Sequence, residues 1–138
     1  MNADSAQINT DQMLSEEELN TITRRVIGCA YHVSSTLGIG FLERVYENAL
    51  AHELRKAELD FVQQQPVAVH YDGVVVGDYV PDLIVKNEIV LELKAAEAID
   101  ASHIAQCLNA LRATSRRVGL VLNFGTPQLG VKRVVNNL

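Results

Sequence analysis

The stretch that decides the fold lies between Val80 and Lys94 and reads VPDLIVKNEIVLELK. Two apolar runs, 79–85 and 88–93, are joined through the polar pair Lys86-Asn87, which predicts two strands of a β-hairpin. Each strand carries an acid at a position where a core residue is expected. Buried strand positions rarely hold unpaired charges, so the two acids are unusual. The stretch therefore predicts both a sheet and a cluster of charged residues within it.

The charged residues of this hairpin have a predictable geometry. Alternate side chains of a strand share a face, so Glu92 and Lys94 point the same way, about 6–7 Å apart. With a two-residue turn at 86–87, Asp82 pairs with Leu91 and lies one step diagonal to Glu92. A one-residue bulge or a crossing twist is needed to bring both acids to one point.

Two carboxylates at one point suggest metal chemistry. They repel each other and favour a hard cation such as Mg²⁺ or Mn²⁺. A metal held there polarises a phosphoryl oxygen and lowers the pKa of bound water, and Lys94 would orient that water or stabilise developing charge. The residues alone leave a second interpretation open, in which Glu92 and Lys94 are ordinary charges on a solvated strand face.

The chain as a whole fits one globular domain. It has 138 residues, of which 48% are apolar. We predict a disordered acidic N-terminal arm over 1–14 and a single domain over 15–138. The net charge of −5 is unevenly placed, since residues 1–18 contain five acids and no Lys or Arg, whereas residues 101–138 contain five bases and no acid. These bases either face phosphates or form a plain solvated surface, and they are Arg112, Arg116, Arg117, Lys132 and Arg133.

Targeting features are absent from the sequence. The N-terminus lacks the basic and apolar regions of a signal peptide, and no apolar run reaches the ~20 residues that span a bilayer. Cys29 and Cys107 lie in separate helix-like stretches, which predicts buried free thiols. We expect a cytoplasmic protein that does not enter membranes.

Hydrophobic spacing predicts the order ααβββαββ, an α/β (α+β) fold with a mixed β-sheet flanked by helices. Ser15 caps the first helix and Gly38-Ile39-Gly40 ends it. The second helix covers 41–59, and an antiparallel meander of three or four strands with a turn at Asp72-Gly73 follows. The remaining predicted elements are a helix at 101–113, a buried strand at 118–124 and an edge strand at 131–135.

Two motifs connect these residues to known families. Pro81-Asp82 followed by Glu92-Leu93-Lys94 resembles the signature of the PD-(D/E)xK nuclease superfamily. The run GFLERVY at 40–46 is similar to the signature of the GxxExxY protein family, and the similarity covers roughly residues 20–136. Further segments that resemble this family are Leu37-Gly38, Tyr71-Asp72-Gly73, Gln106 and Leu122-Asn123-Phe124-Gly125.

The resemblance implies a nuclease-like core and a set of site residues. Lys94 would serve the attacking water, and Gln106 would lie beside the site on the helix that follows. Glu43 would be the helix glutamate that completes the metal site. The implied catalytic residues are Asp82, Glu92, Lys94 and Gln106, and the implied metal ligands are Asp82, Glu92, the backbone carbonyl of Leu93, and Glu43.

Two supporting residues have competing interpretations. Tyr46 shares a helix face with Glu43, so it either supports the site or packs in the core with a bonded hydroxyl. His103 shares a face with Gln106, so it either supports the site or belongs to a polar helix face.

Three functions follow. The first is a nuclease that uses Mg²⁺ or Mn²⁺ on nucleic acid, with DNA favoured over RNA. The second is a weak or inactive nuclease-fold module that binds nucleic acid or a protein, because Asn109 and Ala110 stand where related exonucleases carry a tyrosine after the glutamine. The third is a homodimer formed through the first two helices or the edge strand at 131–135.

Overall fold

Residues 13–137 form three helices and seven strands in the computed structural model, which describes this part of the chain. The predicted arm over 1–14 lies almost entirely outside the described residues. Within 13–137, no helix combines the length and apolar character needed to cross a bilayer. The elements are α1 (Glu16–Leu37), α2 (Glu43–Lys56), β1 (Phe61–Gln63), β2 (Val67–Tyr71), β3 (Val74–Tyr79), β4 (Leu83–Val85), β5 (Ile89–Lys94), α3 (Ala101–Thr114), β6 (Val118–Asn123) and β7 (Gly130–Val135).

The central sheet has five strands in the order β1-β4-β5-β6-β7. All neighbours are antiparallel except β5 and β6, which are parallel and are joined through α3. The predicted fold class, a mixed sheet flanked by helices, is confirmed. β7 lies at the edge of this sheet, as its sequence predicts.

The strands between α2 and α3 differ from the predicted meander. There are five of them, and β2 and β3 form a separate two-stranded hairpin. The physical reason is that β1 and β5 occupy both edges of β4, so no edge of β4 is free for β3. The predicted turn at Asp72-Gly73 is present, with both residues at positive φ.

Helices cover the sheet from both faces. Residues 89, 91 and 93 of β5 pack in a core with α1 and α2, whereas Val90 packs with Cys107 and Leu111 of α3. This alternation is the one predicted for β5. Cys107 is buried and Cys29 is half-buried, and both are free thiols.

α1 begins as its sequence predicts. The Ser15 Oγ accepts a hydrogen bond from the Glu18 N–H at 3.0 Å, and the Glu18 carboxylate accepts one from the Ser15 N–H at 2.8 Å. This reciprocal pair is a capping box. The helix ends at Gly38, whose φ of 71° favours glycine.

The turn between β4 and β5 sets the register of the two acids. Val85 pairs with Ile89, so the turn contains three residues, and Glu88 is one more than predicted. The predicted pairing of Asp82 with Leu91 is therefore wrong, since Leu83 takes that partner. Continuing this register places Asp82 opposite Glu92, so the extra turn residue supplies the one-residue shift that the acids require.

Candidate active site

Asp82 and Glu92 meet at the end of the sheet where β5 terminates. The Leu93 N–H donates to Asp82 Oδ2 at 2.8 Å, and the Asp82 N–H approaches Glu92 Oε1 at 3.4 Å. Glu92 is only 4% exposed, and Asp82 is half-buried. Each carboxylate is thus contacted by a backbone N–H of the segment that carries the other acid.

Lys94 and Gln106 extend this cluster. Lys94 Nζ donates to Gln106 Oε1 at 2.7 Å, which joins the end of β5 to the second turn of α3. The positive charge of Lys94 also acts on Glu92, where it favours the ionised carboxylate. The structure therefore brings together the four residues predicted as catalytic.

The loop after Lys94 is held by a residue to which the sequence assigns no role. Asn123 is buried, and its side chain accepts from the Ala96 N–H at 2.9 Å and donates to the Ala96 carbonyl at 3.0 Å. Gly125 lies so close that a Cβ there would meet the Ala96 carbonyl oxygen at 2.3 Å. These contacts fix the direction in which the chain leaves Lys94.

The site disfavours two ionised acids. Burial raises the pKa of the Asp82 carboxyl, and the negative charges of Glu47 and Glu43 raise it further. Burial also raises the pKa of Glu92 to about 7, with the charge of Asp82 adding to the effect and a hydrogen bond from Tyr79 opposing it. Two buried like charges of this kind gain from a nearby cation.

Tyr79 belongs to the site although the sequence did not identify it. Its hydroxyl donates a hydrogen bond to Glu92 Oε2. Burial, and then this contact with Glu92, raise the pKa of the Tyr79 phenol, so the hydroxyl keeps its proton. Tyr79 lies three residues before Asp82 in the sequence, which is only weak evidence for a role in the site. Its contact with Glu92 arises from the tertiary structure.

Glu47 is a second residue that the sequence did not identify. It is 3% exposed and accepts hydrogen bonds from Gln63 Nε2 at 2.7 Å and Gln64 Nε2 at 3.0 Å. Gln64 Nε2 also approaches Asp82 Oδ1 at 3.3 Å, so the Gln64 amide bridges Glu47 and Asp82. The helix α2 reaches the site through Glu47, whereas Glu43 is exposed.

A signal for Glu47 was present in the sequence. It stands three and seven residues before Leu50 and Leu54, both buried, and therefore occupies a position of the apolar stripe of α2. An acid at such a position requires bonded partners.

The family is decided by a comparison with known proteins. The profile of the PD-(D/E)XK nuclease superfamily matches residues 20–134, which is most of the chain. The chain belongs to the PD-(D/E)XK nuclease superfamily. The predicted superfamily is thus confirmed, while membership of the finer GxxExxY family stays a prediction.

Solved structures show the same fold. A structure described as that of SSO0001 has a TM-score of 0.55 and 16% identity, over 70% of this chain and 51% of that one. An alkaline exonuclease (LHK-Exo) from Laribacter hongkongensis has a TM-score of 0.52 and 12% identity, over 91% of this chain and 72% of that one. The present chain thus spans about half the length of the SSO0001 chain that it matches. A comparison with curated proteins found no match.

The donor atoms fit a hard divalent cation of the kind typical of the superfamily. Within residues 13–137, no three His, Cys, Asp or Glu side chains are grouped as a metal site, so Glu43 does not join the two acids in such a group. The oxygen donors that remain are the carboxylates of Asp82 and Glu92 and the predicted backbone carbonyl of Leu93. Mg²⁺ binds through one or two carboxylates and keeps several waters, so this set is sufficient for it.

The two supporting residues have structural explanations. The Tyr46 hydroxyl donates to the Gly38 carbonyl at 2.6 Å and accepts from the Phe41 N–H at 3.2 Å, and its ring stacks on Phe124. It is fully buried and holds the loop between α1 and α2. His103 Nδ1 accepts from the Asp100 N–H at 3.1 Å and so completes the N-terminal cap of α3.

Most of the predicted phosphate contacts do not lie at this site. Arg116 donates to Asn87 in the β4–β5 turn, and Arg117 pairs with Glu88 there at 3.5 Å. That turn is at the opposite end of β5 from Lys94.

The other three bases are spread over the molecule. Arg133 contacts Asn20 of α1 at 3.2 Å, and Lys132 is exposed on the edge strand β7. Arg112 alone lines a cavity that also includes Tyr79 of the site.

Proposed function

We propose that this protein is a divalent-metal-dependent nuclease that hydrolyses phosphodiester bonds of nucleic acid, with DNA favoured over RNA. Membership of the superfamily and the nuclease-like sheet support this function at the coarse level. The observation that carries the proposal is the meeting of Asp82 and Glu92 beside the bonded pair of Lys94 and Gln106.

The acids have the role of ligands in this proposal. Asp82, Glu92 and the Leu93 carbonyl would hold Mg²⁺ or Mn²⁺, which when bound polarises a phosphoryl oxygen and acidifies a bound water. Tyr79 and the Leu93 N–H hold the two carboxylates in place. Glu47 adds negative charge near Asp82, which strengthens the attraction of the site for a cation.

Lys94 has the role of orienting the attack. Its ammonium has three N–H donors, and Gln106 accepts one of them. The other two are available for the attacking water and for a phosphoryl oxygen, where negative charge develops. Gln106 restricts the rotamers of Lys94 and so positions it.

Cleavage of a fluorescent DNA with Mg²⁺ or Mn²⁺ tests the proposal. We expect Lys94→Ala to abolish cleavage while the thermal unfolding midpoint changes little, because Lys94 is half-buried and, among the described residues, its side chain bonds only to Gln106. The matched control is Lys56→Ala, since Lys56 is exposed and pairs with Glu53, its neighbour on α2. A cleavage rate in Lys94→Ala equal to that of the wild type contradicts the proposal.

A second candidate is a weak or inactive nuclease-fold binding module. One observation favours it, because the carboxylates of Asp82 and Glu92 are already bonded to protein donors, including Gln64 and Tyr79. This candidate predicts no heat of Mn²⁺ binding in calorimetry and unchanged partner binding in Asp82→Ala. The homodimer and the cytoplasmic location stay predictions, and sedimentation at micromolar concentration tests the first.

A further inference from the structure

A cavity of about 580 Å³ lies between the β2–β3 hairpin and α3. Its wall is rich in polar groups, among them His70 and Tyr79 of the hairpin and Asn109, Arg112 and Ser115 of α3 and its C-cap. The hydrogen-bond donors in this set, an amide, a guanidinium, a hydroxyl and an imidazole, suit an anionic oxygen ligand.

Arg112 differs from the other arginines of the C-terminal basic segment. The side chains of Arg116, Arg117 and Arg133 each bind protein oxygen atoms. Within residues 13–137, the exposed Arg112 side chain makes no hydrogen bond and no ion pair. Its guanidinium is therefore available to an external ligand.

The cavity shares one residue with the candidate active site. Tyr79 lines the cavity, and its hydroxyl bonds to Glu92. On α3, Gln106, Asn109 and Arg112 follow one another at intervals of three, so they form one ridge of the helix. From Gln106 to Arg112 this ridge advances about 9 Å, which matches the rise of roughly two to three nucleotides along one strand.

The charge of the cavity suits one phosphate. No Lys or Arg occurs from 61 to 85, so the hairpin wall contributes no permanent positive charge. Arg112 is thus the sole permanent cation among the lining residues. A planar guanidinium with neighbouring amide and hydroxyl donors recognises a single phosphate through charge-assisted hydrogen bonds.

We infer that this cavity is a phosphate subsite, which holds the nucleic-acid strand two to three nucleotides from the bond that is cut, with Arg112 as its cation. The inference rests on the proposed nuclease function and specifies how its substrate is held. The subsite keeps the strand in register with Lys94, because Arg112 lies on α3 and Lys94 is hydrogen-bonded to Gln106 of the same helix.

Binding of fluorescein-labelled DNA, as a single strand and as a duplex, tests the subsite by anisotropy in EDTA, where cleavage is suppressed. We expect Arg112→Ala to weaken binding about 3- to 10-fold and to reduce the slope of log affinity against log salt by roughly 0.7–0.9, the loss of one phosphate contact. Arg112→Lys should keep the slope, and Asn109→Asp should weaken binding through repulsion. The control is Arg24→Ala, which removes an exposed arginine of α1 whose guanidinium, within residues 13–137, hydrogen-bonds only to Thr21.

The outcomes separate the subsite from the nuclease function. Unchanged affinity and salt slope in Arg112→Ala, with both DNA forms, overturn the subsite even if the wild type cleaves DNA. Arg112-dependent binding without any cleavage by the wild type supports the subsite and contradicts the nuclease function. An equal loss in Arg24→Ala also overturns the subsite, because the effect is then one of net charge.

Discussion

Glu92 is the residue whose surroundings most clearly depart from those of an ordinary strand position. It is buried beside a second acid, and burial raises its pKa to about 7. The metal-free protein therefore holds this carboxyl partly protonated at neutral pH. Burying an ionised acid lowers the free energy of unfolding, so the site reduces the stability of the fold.

The pKa of Glu92 predicts how stability changes with pH. Because the folded-state pKa is raised from 4.5 to about 7, the folded protein binds more protons than the unfolded chain between these values. The stabilisation is complete below the lower value and is lost as the pH rises through the upper one. Asp82 shifts in the same direction and adds to this trend.

We expect Glu92→Gln to remove most of this dependence, because glutamine does not ionise. At about pH 8 the metal-free variant should be more stable than the wild type by roughly 2–3 kcal/mol, with little difference at about pH 4. Urea unfolding at both pH values measures this, and exposed Glu16→Gln is the control. Parallel pH profiles of wild type and variant would show that Glu92 is not the group responsible.

Tyr79→Phe tests the hydrogen bond to Glu92. The change leaves a buried carboxylate oxygen without its donor, which should cost about 1–3 kcal/mol of stability. We also expect kcat to fall several-fold with KM nearly unchanged, since the hydroxyl holds a metal ligand. Tyr71→Phe is the matched control, because Tyr71 lies on the same hairpin and is 74% exposed. A variant as stable and active as the wild type would remove Tyr79 from the site.

At the scale of elements, the ends of β5 and β6 decide whether the site residues meet. The turn before β5 contains one extra residue, which brings the acids opposite each other. After β5, Asn123 and Gly125 at the end of β6 hold the loop that follows Lys94. Both are connections between elements rather than properties of a single strand.

Two glycine substitutions should have opposite effects. In Gly125→Ala the new Cβ would meet the Ala96 backbone at 2.3–2.4 Å, so we expect a loss of about 1–3 kcal/mol and a reduced cleavage rate from the displaced loop. Gly28 is exposed on α1, and in Gly28→Ala the new Cβ meets nothing within 4 Å, so we expect the free energy of unfolding to rise by roughly 0.5–1 kcal/mol. Thermal unfolding measures both, and a stable Gly125→Ala variant would contradict the tight contact.

At the scale of the molecule, helices cover both faces of the sheet, and each face contributes residues to the site. α2 contributes Glu47, α3 contributes Gln106, and the separate hairpin contributes Tyr79. Ligand binding at their meeting point should therefore stabilise the whole domain.

We expect Mn²⁺ to raise the thermal midpoint of the wild type at about pH 8 by roughly 5–10 °C when it is present at about 100 times its dissociation constant. The shift should be lost in Asp82→Asn, because the variant lacks a ligand charge. Asp78→Asn serves as the control, since Asp78 is exposed on the hairpin. An equal shift in Asp82→Asn would place the metal elsewhere.

The sequence by itself determined the local elements and the types of the site residues. The capping box at Ser15, the alternation along β5 and the spacing of Glu92 and Lys94 follow from backbone geometry within one element. Such patterns depend on dihedral angles and periodicity over a few residues, which is why they can be read without coordinates. The spacing along the two strands also identified Asp82, Glu92 and Lys94, whereas Gln106 was implied by the resemblance to the nuclease superfamily.

Only the tertiary structure decided which elements meet. The three-residue turn that aligns Asp82 with Glu92, the exclusion of β2 and β3 from the main sheet, and the bridging of Glu47 and Asp82 by Gln64 all depend on contacts across the fold. The physical reason is that a strand takes whichever edge is free, and an acid becomes buried only where distant donors such as Gln64 can bond to it.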